Sequence, residues 1–214
     1  NIWEKGLYIE TNNVSITNMW ITDSFEGLIL KDIQGIEISY VTVNNTVNTS
    51  VLLFSVKNIN ITNIVANTTS AGICICGSSN ITITNTTIAD SQSGIIVDRS
   101  ENITIDDSKI IARDTGVELL NSLAVTITNT TFDGCGLYVY DSYGNSVYGT
   151  YVNGKPLVYM ENAIGQTIMN AGQVVAVRCQ GIVIDGVSVT HTTMGIELWQ
   201  TNSSIISNVN ASNN

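Results

Sequence analysis

Apolar and polar residues alternate along this chain in short bursts, and the bursts return at a fixed interval. Val14-Ser15-Ile16-Thr17-Asn18 sets the pattern. It recurs as Ile36-Glu37-Ile38-Ser39-Tyr40, Ile59-Asn60-Ile61-Thr62-Asn63, Ile81-Thr82-Ile83-Thr84-Asn85, Ile103-Thr104-Ile105-Asp106-Asp107 and Val125-Thr126-Ile127-Thr128-Asn129. The second apolar position falls at 16, 38, 61, 83, 105 and 127, in steps of 22 or 23 residues. A second burst opens on glycine and keeps the same phase, as in Gly72-Ile73-Cys74-Ile75-Cys76, Gly94-Ile95-Ile96-Val97 and Gly116-Val117-Glu118-Leu119. Earlier copies begin at Gly6 and Gly27, and later ones at Gly136 and Gly195.

A period of two is a strand signal, not a helix signal. Strands of four or five residues cannot bury one face alone, so each must be covered by its copy in the next repeat. Two or three such strands per interval predict an all-β chain, a right-handed single-stranded parallel β-helix of about 22 residues per coil. A propeller blade needs about 40 residues, and a leucine-rich repeat needs a leucine consensus that is missing. Residues 1–214 read as a single β-helix domain with an irregular coil around 152–173, where a protruding turn is expected near Gly154. Asn18, Asn63, Asn85 and Asn129 hold one repeat position, with Tyr40 and Asp107 as substitutes, and Asn58, Asn80 and Asn102 hold another. These are expected to be turn ladders, bonded along the rod and tolerant of left-handed backbone.

Composition narrows the function classes. The net charge is -10 with only 8 Lys and Arg, so a phosphate-binding face, and with it nucleic acid, is not expected. No apolar run reaches membrane-spanning length. The stretches Asn153-Gly154-Lys155-Pro156-Leu157 and Asn170-Ala171-Gly172-Gln173-Val174, followed by Cys179, resemble the NosD-like group of right-handed β-helix proteins, which includes archaeal cell-surface proteins. That resemblance implies the pectin-lyase-like superfold, export, and a surface or carbohydrate-related role. It transfers no activity, because the superfold hosts enzymes, adhesins and rods alike.

Candidate chemistry is sparse. Asp106-Asp107 resembles the paired aspartates of polygalacturonases, but that family's other motifs are missing and Asp107 sits in a ladder column. Asp23, Glu26 and Asp32 lie near one another without an Arg partner. No catalytic residue is assigned, and the chain leans away from being an enzyme. His191, Met194, Met160 and Met169 are soft copper-type ligands, yet they are too scattered for a metal or cofactor to be expected. Cys74 and Cys76 share one strand face and are expected to point inward as free thiols, with Cys135 too distant to bridge them. Tyr138, Tyr140, Tyr143, Tyr148 and Tyr151 cluster in sequence and are a candidate carbohydrate platform.

Asn-x-Ser/Thr acceptor patterns occur at eleven positions. Asn44, Asn48 and Asn67 lie outside the strand motif and are the favoured glycosylation sites, with Asn13, Asn202 and Asn210 after them. The chain opens Asn1-Ile2-Trp3 and closes Ile205-Ile206-Ser207-Asn208-Val209, with no capping helix at either end. Open β-helix ends favour self-association, either with the rest of a longer rod or head to tail into a filament. The leading expectation is an exported, N-glycosylated structural β-helix, extracellular or at the cell surface. The alternatives are a carbohydrate-binding or carbohydrate-cleaving protein and a copper-handling accessory protein.

Overall fold

The computed structural model describes residues 4–68 and 70–214, so the opening Asn1-Ile2-Trp3 lies outside the described residues. All regular structure among them is strand, and it stacks as a parallel solenoid. Each turn of the longer part, up to Val152, has three faces. Ile16, Ile38, Ile61, Ile83, Ile105, Ile127 and Val147 pair in register down one face. These are the positions that recur in the sequence. Leu7, Leu28, Val51, Ile73, Ile95, Val117 and Leu137 form the column of a second face. Ile21, Val43, Ala66, Ile88, Ile110, Phe132 and Val152 form that of the third. The three columns meet in one continuous core. Each buried aliphatic side chain contributes about 1.5–3 kcal/mol, and stacking repeats that gain once per coil.

The corners explain the asparagines. Asn18, Tyr40, Asn63, Asn85, Asp107 and Asn129 have φ between 47° and 55°, and Asn58, Asn80 and Asn102 between 54° and 57°. Asn and Asp enter this left-handed region at less cost than other residues with a Cβ. Their side chains point outward and bond along the rod. Asn80 Nδ2 donates to Asn58 Oδ1 at 3.0 Å, Asn102 to Asn80 at 3.3 Å, and Asn85 to Asn63. Asn129 instead reaches Asp106 Oδ1 at 3.0 Å.

A second ladder lies inside. Ser78, Ser100, Ser122 and Ser142 are buried at one corner, and each of the last three accepts the N–H of the serine one coil earlier at 3.0–3.2 Å. The glycines that open one face have a steric cause. A Cβ on Gly94 would lie 2.4 Å from the carbonyl oxygen of Gly116 in the next coil.

The stack then reverses. Asn153 (φ 50°) and Gly154 (φ 77°) turn the chain, so that Val152 pairs antiparallel with Lys155. An Asn-Gly pair is the usual occupant of a two-residue hairpin with two positive φ angles. Strand Lys155–Glu161 begins a second, shorter stack with its own core of Ile168, Val174, Ala176, Ile182, Ile184 and Val189. Val158, Val174 and Ile196 are in register there, as are Ile168, Ile184 and Ile206. Strand Gln173–Val177 is buried on both sides: Val175 and Val177 join the long stack's core, Val174 and Ala176 the short one's. No helix among the described residues is long and apolar enough to cross a membrane.

Candidate functional site at the junction of the two stacks

Within the long stack, outward-going N–H groups meet carbonyls of the next coil, as Gly77 N meets Asp98 O at 3.0 Å and Arg99 N meets Leu120 O at 3.0 Å. The last coil, around Leu137–Tyr140 and Ser146–Tyr148, has no such successor. Side chains of the short stack take its place. Leu137 N donates to Gln173 Oε1 at 2.9 Å, while Gln173 Nε2 donates to Leu137 O at 2.6 Å. One amide side chain thus supplies both halves of a strand pairing. Val139 N donates to Glu197 Oε2 at 3.2 Å, and Gly136 N to Thr193 Oγ1 at 2.8 Å. The Glu161 carboxylate accepts from Gly144 N at 2.8 Å and Asn145 N at 3.0 Å. The buried N–H groups of Leu137 and Val139 would otherwise be left unpaired at the end of an apolar core, at about 1–3 kcal/mol each.

The fit is close. A Cβ on Gly136 would lie 2.4 Å from both Gln173 Oε1 and Thr192 Oγ1. Burial pushes the Glu197 carboxyl up to about 7, against the opposing pull of the Val139 N–H. On the flank, the Arg178 guanidinium lies 3.3 Å above the Tyr143 ring, and Trp199 packs against the same ring with centroids 5.1 Å apart. That tyrosine belongs to the long stack and both of its partners to the short one.

A cleft of about 470 Å³ opens beside this clasp, lined chiefly by Arg113, Asp114, Glu118, Tyr138, His191 and Met194, with Asn213 and Asn214 at its margin. Its walls come from both stacks. Asp114 Oδ2 accepts from Gln92 Nε2 at 2.8 Å and Glu118 Oε1 from Ser93 Oγ at 2.5 Å, so both carboxylates are held by the coil before theirs. Thr193 Oγ1 donates to Asp114 O at 3.0 Å and ties the short stack's loop to the rim. The cleft therefore combines oriented acceptors, a guanidinium donor, a half-buried phenol ring and an imidazole.

A family model described as the right handed beta helix region matches residues 26–155. The chain belongs to that family. The match ends at the reversal, so the family pattern covers the regular coils of the β-helix and stops short of the second stack. No curated protein matches the chain in sequence. In three dimensions the β-helix is similar to the enzymatically active domain of tailspike protein 2 of bacteriophage CBA120. The TM-score is 0.53 at 11% identity, over 88% of this chain and 32% of that one. This chain thus spans about a third of the tailspike domain, and at that identity the likeness is one of fold. A candidate glycosyl hydrolase from Parabacteroides merdae overlaps with a TM-score of 0.33 at 12% identity, over 85% of this chain and 79% of that one. That value is too low to carry an argument.

The β-helix disperses several residues that the sequence groups together. The five tyrosines do not form one platform. Tyr138 and Tyr140 lie on one face, Tyr148 on the next and Tyr151 on the third, while Tyr143 is held in the clasp. A coil of about 20 residues visits every face, so neighbours in sequence point in different directions. Tyr138 alone lines the cleft.

Cys74 and Cys76 correct a second expectation: they alternate with inward Ile73 and Ile75 and so face outward, half-buried. Cys135 and Cys179 are buried. The asparagine ladders face outward, so Asn80, Asn85 and Asn102 are exposed. The favoured sequons are less free. Asn44, Asn48 and Asn67 are half-buried, Asn67 Nδ2 donates to Asn44 Oδ1 at 3.0 Å, and Asn48 Nδ2 reaches Glu26 at 3.4 Å. Asn13, Asn202 and Asn210 are exposed.

Asp106 accepts from Thr128 Oγ1 and Asn129, and these bonds, Thr128 first, hold its carboxyl below the usual range. Asp107, Asp23 and Asp32 are corner residues with positive φ. Among the soft ligands, Met160 packs on the short stack's core and Met169 is 71% exposed, while only His191 and Met194 share the cleft. Among the described residues no three His, Cys, Asp or Glu side chains converge as a metal site. Sequence reading missed Gln173, Glu161 and Glu197, because alternation marks each as an ordinary outward polar position. It also missed the serine column, although Ser78, Ser100 and Ser122 are spaced by 22 residues.

Proposed function

We propose that this β-helix is a glycan-binding protein of the cell exterior, which holds a neutral saccharide in the cleft between its two stacks. The observation that carries the reading is the cleft itself: Asp114 and Glu118 fixed by neighbouring coils, facing Arg113, His191 and the ring of Tyr138. Sugar hydroxyls need acceptors and donors that are already oriented, and sugar C–H faces pack on aromatic rings. The net charge of -10 disfavours a polyanionic ligand. Binding is the role assigned, with no catalytic step. Exposed sequons at Asn13, Asn80, Asn102 and Asn202 fit an exported chain that carries its own glycans.

A screen of neutral oligosaccharides against the purified protein tests this. Retention of at least one sugar is expected, weakened about tenfold or more by Tyr138→Ala and by Glu118→Gln. Absence of any retained sugar, or binding indifferent to both substitutions, would reject it. A structural-rod reading is favoured by one separate observation. Ile206 continues the inward column of Ile168 and Ile184 yet is 50% exposed, and Ile205 beside it is 59% exposed. Stacking of a second copy on that rung would cover them. Concentration-dependent assembly seen by light scattering and abolished by Ile206→Asp would support it; a monomer at all concentrations would not.

A further inference from the structure

We propose that Cys74 and Cys76 form a thiol–disulfide exchange site that takes small disulfides and closes reversibly into a bond between the two cysteines. The two Sγ atoms lie 3.0 Å apart on the outer face of strand Ala71–Cys76. Neither has a structural duty there, since Ile73 and Ile75 supply the core on the opposite face. Leu52 and Ile96 are paired with Cys74 in the coils before and after, and Phe54 and Asp98 with Cys76. The pair is thus held between two neighbouring coils, with Leu52, Phe54 and Ile96 as apolar neighbours and Asp98, followed by Arg99, beside Cys76.

The two sulfurs are chemically unlike. The contact with Cys74 lowers the Cys76 thiol below its ordinary value, with burial and the Asp98 charge opposing and the Arg99 charge assisting. The same contact, followed by burial, raises Cys74. Cys74 sits between Leu52 and Ile96, whereas Cys76 sits beside Asp98 and its partner Arg99, so Cys76 is assigned as the attacking thiolate and Cys74 as the resolving thiol.

The steps balance as follows. Cys76 Sγ attacks one sulfur of an external disulfide, forms a mixed disulfide and expels one thiolate. Cys74 gives up its proton and attacks Cys76 Sγ, which expels the second thiolate. Two protein thiols are oxidised, one external disulfide is reduced to two thiols, and no other reactant is needed.

The closed form is not expected to be a permanent staple. Residues two apart on a strand have Cα atoms separated by about 6.6 Å, at the long end of the roughly 4.4–6.8 Å range of disulfides. A bond there is strained and easily reduced, which suits exchange rather than stabilisation. Cys135 and Cys179, buried to 0% and 1% exposure, serve as internal silent thiols.

Oxidised glutathione is the probe. The fully reduced chain is incubated with it, quenched in acid, and analysed by intact mass and peptide mapping. The expected product has lost two hydrogens in the peptide containing Cys74 and Cys76, and a small dithiol reverses the change. Cys74→Ser traps one glutathione on Cys76. Cys76→Ser reacts at Cys74 at least about tenfold more slowly than Cys76 does in the other variant. Circular dichroism confirms that both variants keep their strand content, and the wild-type mass change stands without them. An unchanged mass under excess probe overturns the proposal. So does glutathione that stays on the wild-type chain without closure, or a Cys74→Ser chain that takes up none.

Discussion

Two regions of this molecule solve the same problem by different means. Inside the long stack, each coil is completed by the backbone of the next, and the residues that matter are aliphatic columns such as Ile83, Ile105 and Ile127. At the end of that stack no further coil is available, and completion comes from polar side chains: Gln173, Glu197, Glu161 and Thr193. The first solution is repetitive and tolerant, because any aliphatic residue of the right size serves. The second is specific, because an amide or carboxylate oxygen must reach a particular N–H. The difference shows why a chain so regular up to Val152 turns back on itself: the reversal closes the end of its own core. It also builds the cleft, whose walls exist only where the two stacks meet.

Four substitutions separate the two solutions. The largest effect is expected from Ile105→Ala, which empties a fully buried position between two identical neighbours and costs about 4 kcal/mol, seen as a lower urea midpoint for the whole chain. Gln173→Leu comes next, at about 3 kcal/mol. It leaves both the N–H and the carbonyl of Leu137 unpaired, and it should appear as early release of the short stack, read by the fluorescence of Trp199.

Third is a pH effect at Glu197. Its folded-state value of about 7 lies above the ordinary 4.5, so the folded chain holds its proton more tightly than the unfolded one. Stability is therefore fully present below about 4.5 and is lost as pH rises from there through about 7, by about 3 kcal/mol. Glu197→Gln keeps an acceptor for Val139 N, and should remove that slope and leave the protein more stable at pH 8. The smallest change is Asn80→Ala. It costs about 1 kcal/mol, because alanine enters the left-handed corner less readily and the bonds to Asn58 and Asn102 are lost. Thermal melts of the two ladder and cap variants side by side would show whether specific caps outweigh repeated corners.

The long stack was legible because its information is local and repeated. One residue per coil, Ile16 through Ile127, announces the register, and the pairing falls where the spacing puts it. The junction was not legible for the opposite reason. Gln173 bonds a residue 36 positions earlier and Glu197 one 58 positions earlier, each once only. Glu197 stands between Ile196 and Leu198, where alternation points it away from the short stack's core. Nothing local reveals that this outward side faces another core rather than water. The cysteines failed differently. The period of two that placed Ile73 and Ile75 inside also places Cys74 and Cys76 outside, and treating thiols as apolar filler overrode a rule that was right.

Amide hydrogen exchange tests the central claim, that the short stack caps the long one, most directly. Leu137 and Val139 are the last rung of their face, with side-chain acceptors in place of a further strand. The predicted result is protection at these two amides comparable to that of Val117 and Leu119 one coil earlier, collapsing in Gln173→Leu. Exchange at Leu137 and Val139 as fast as at an open sheet edge in the wild-type protein would contradict the account.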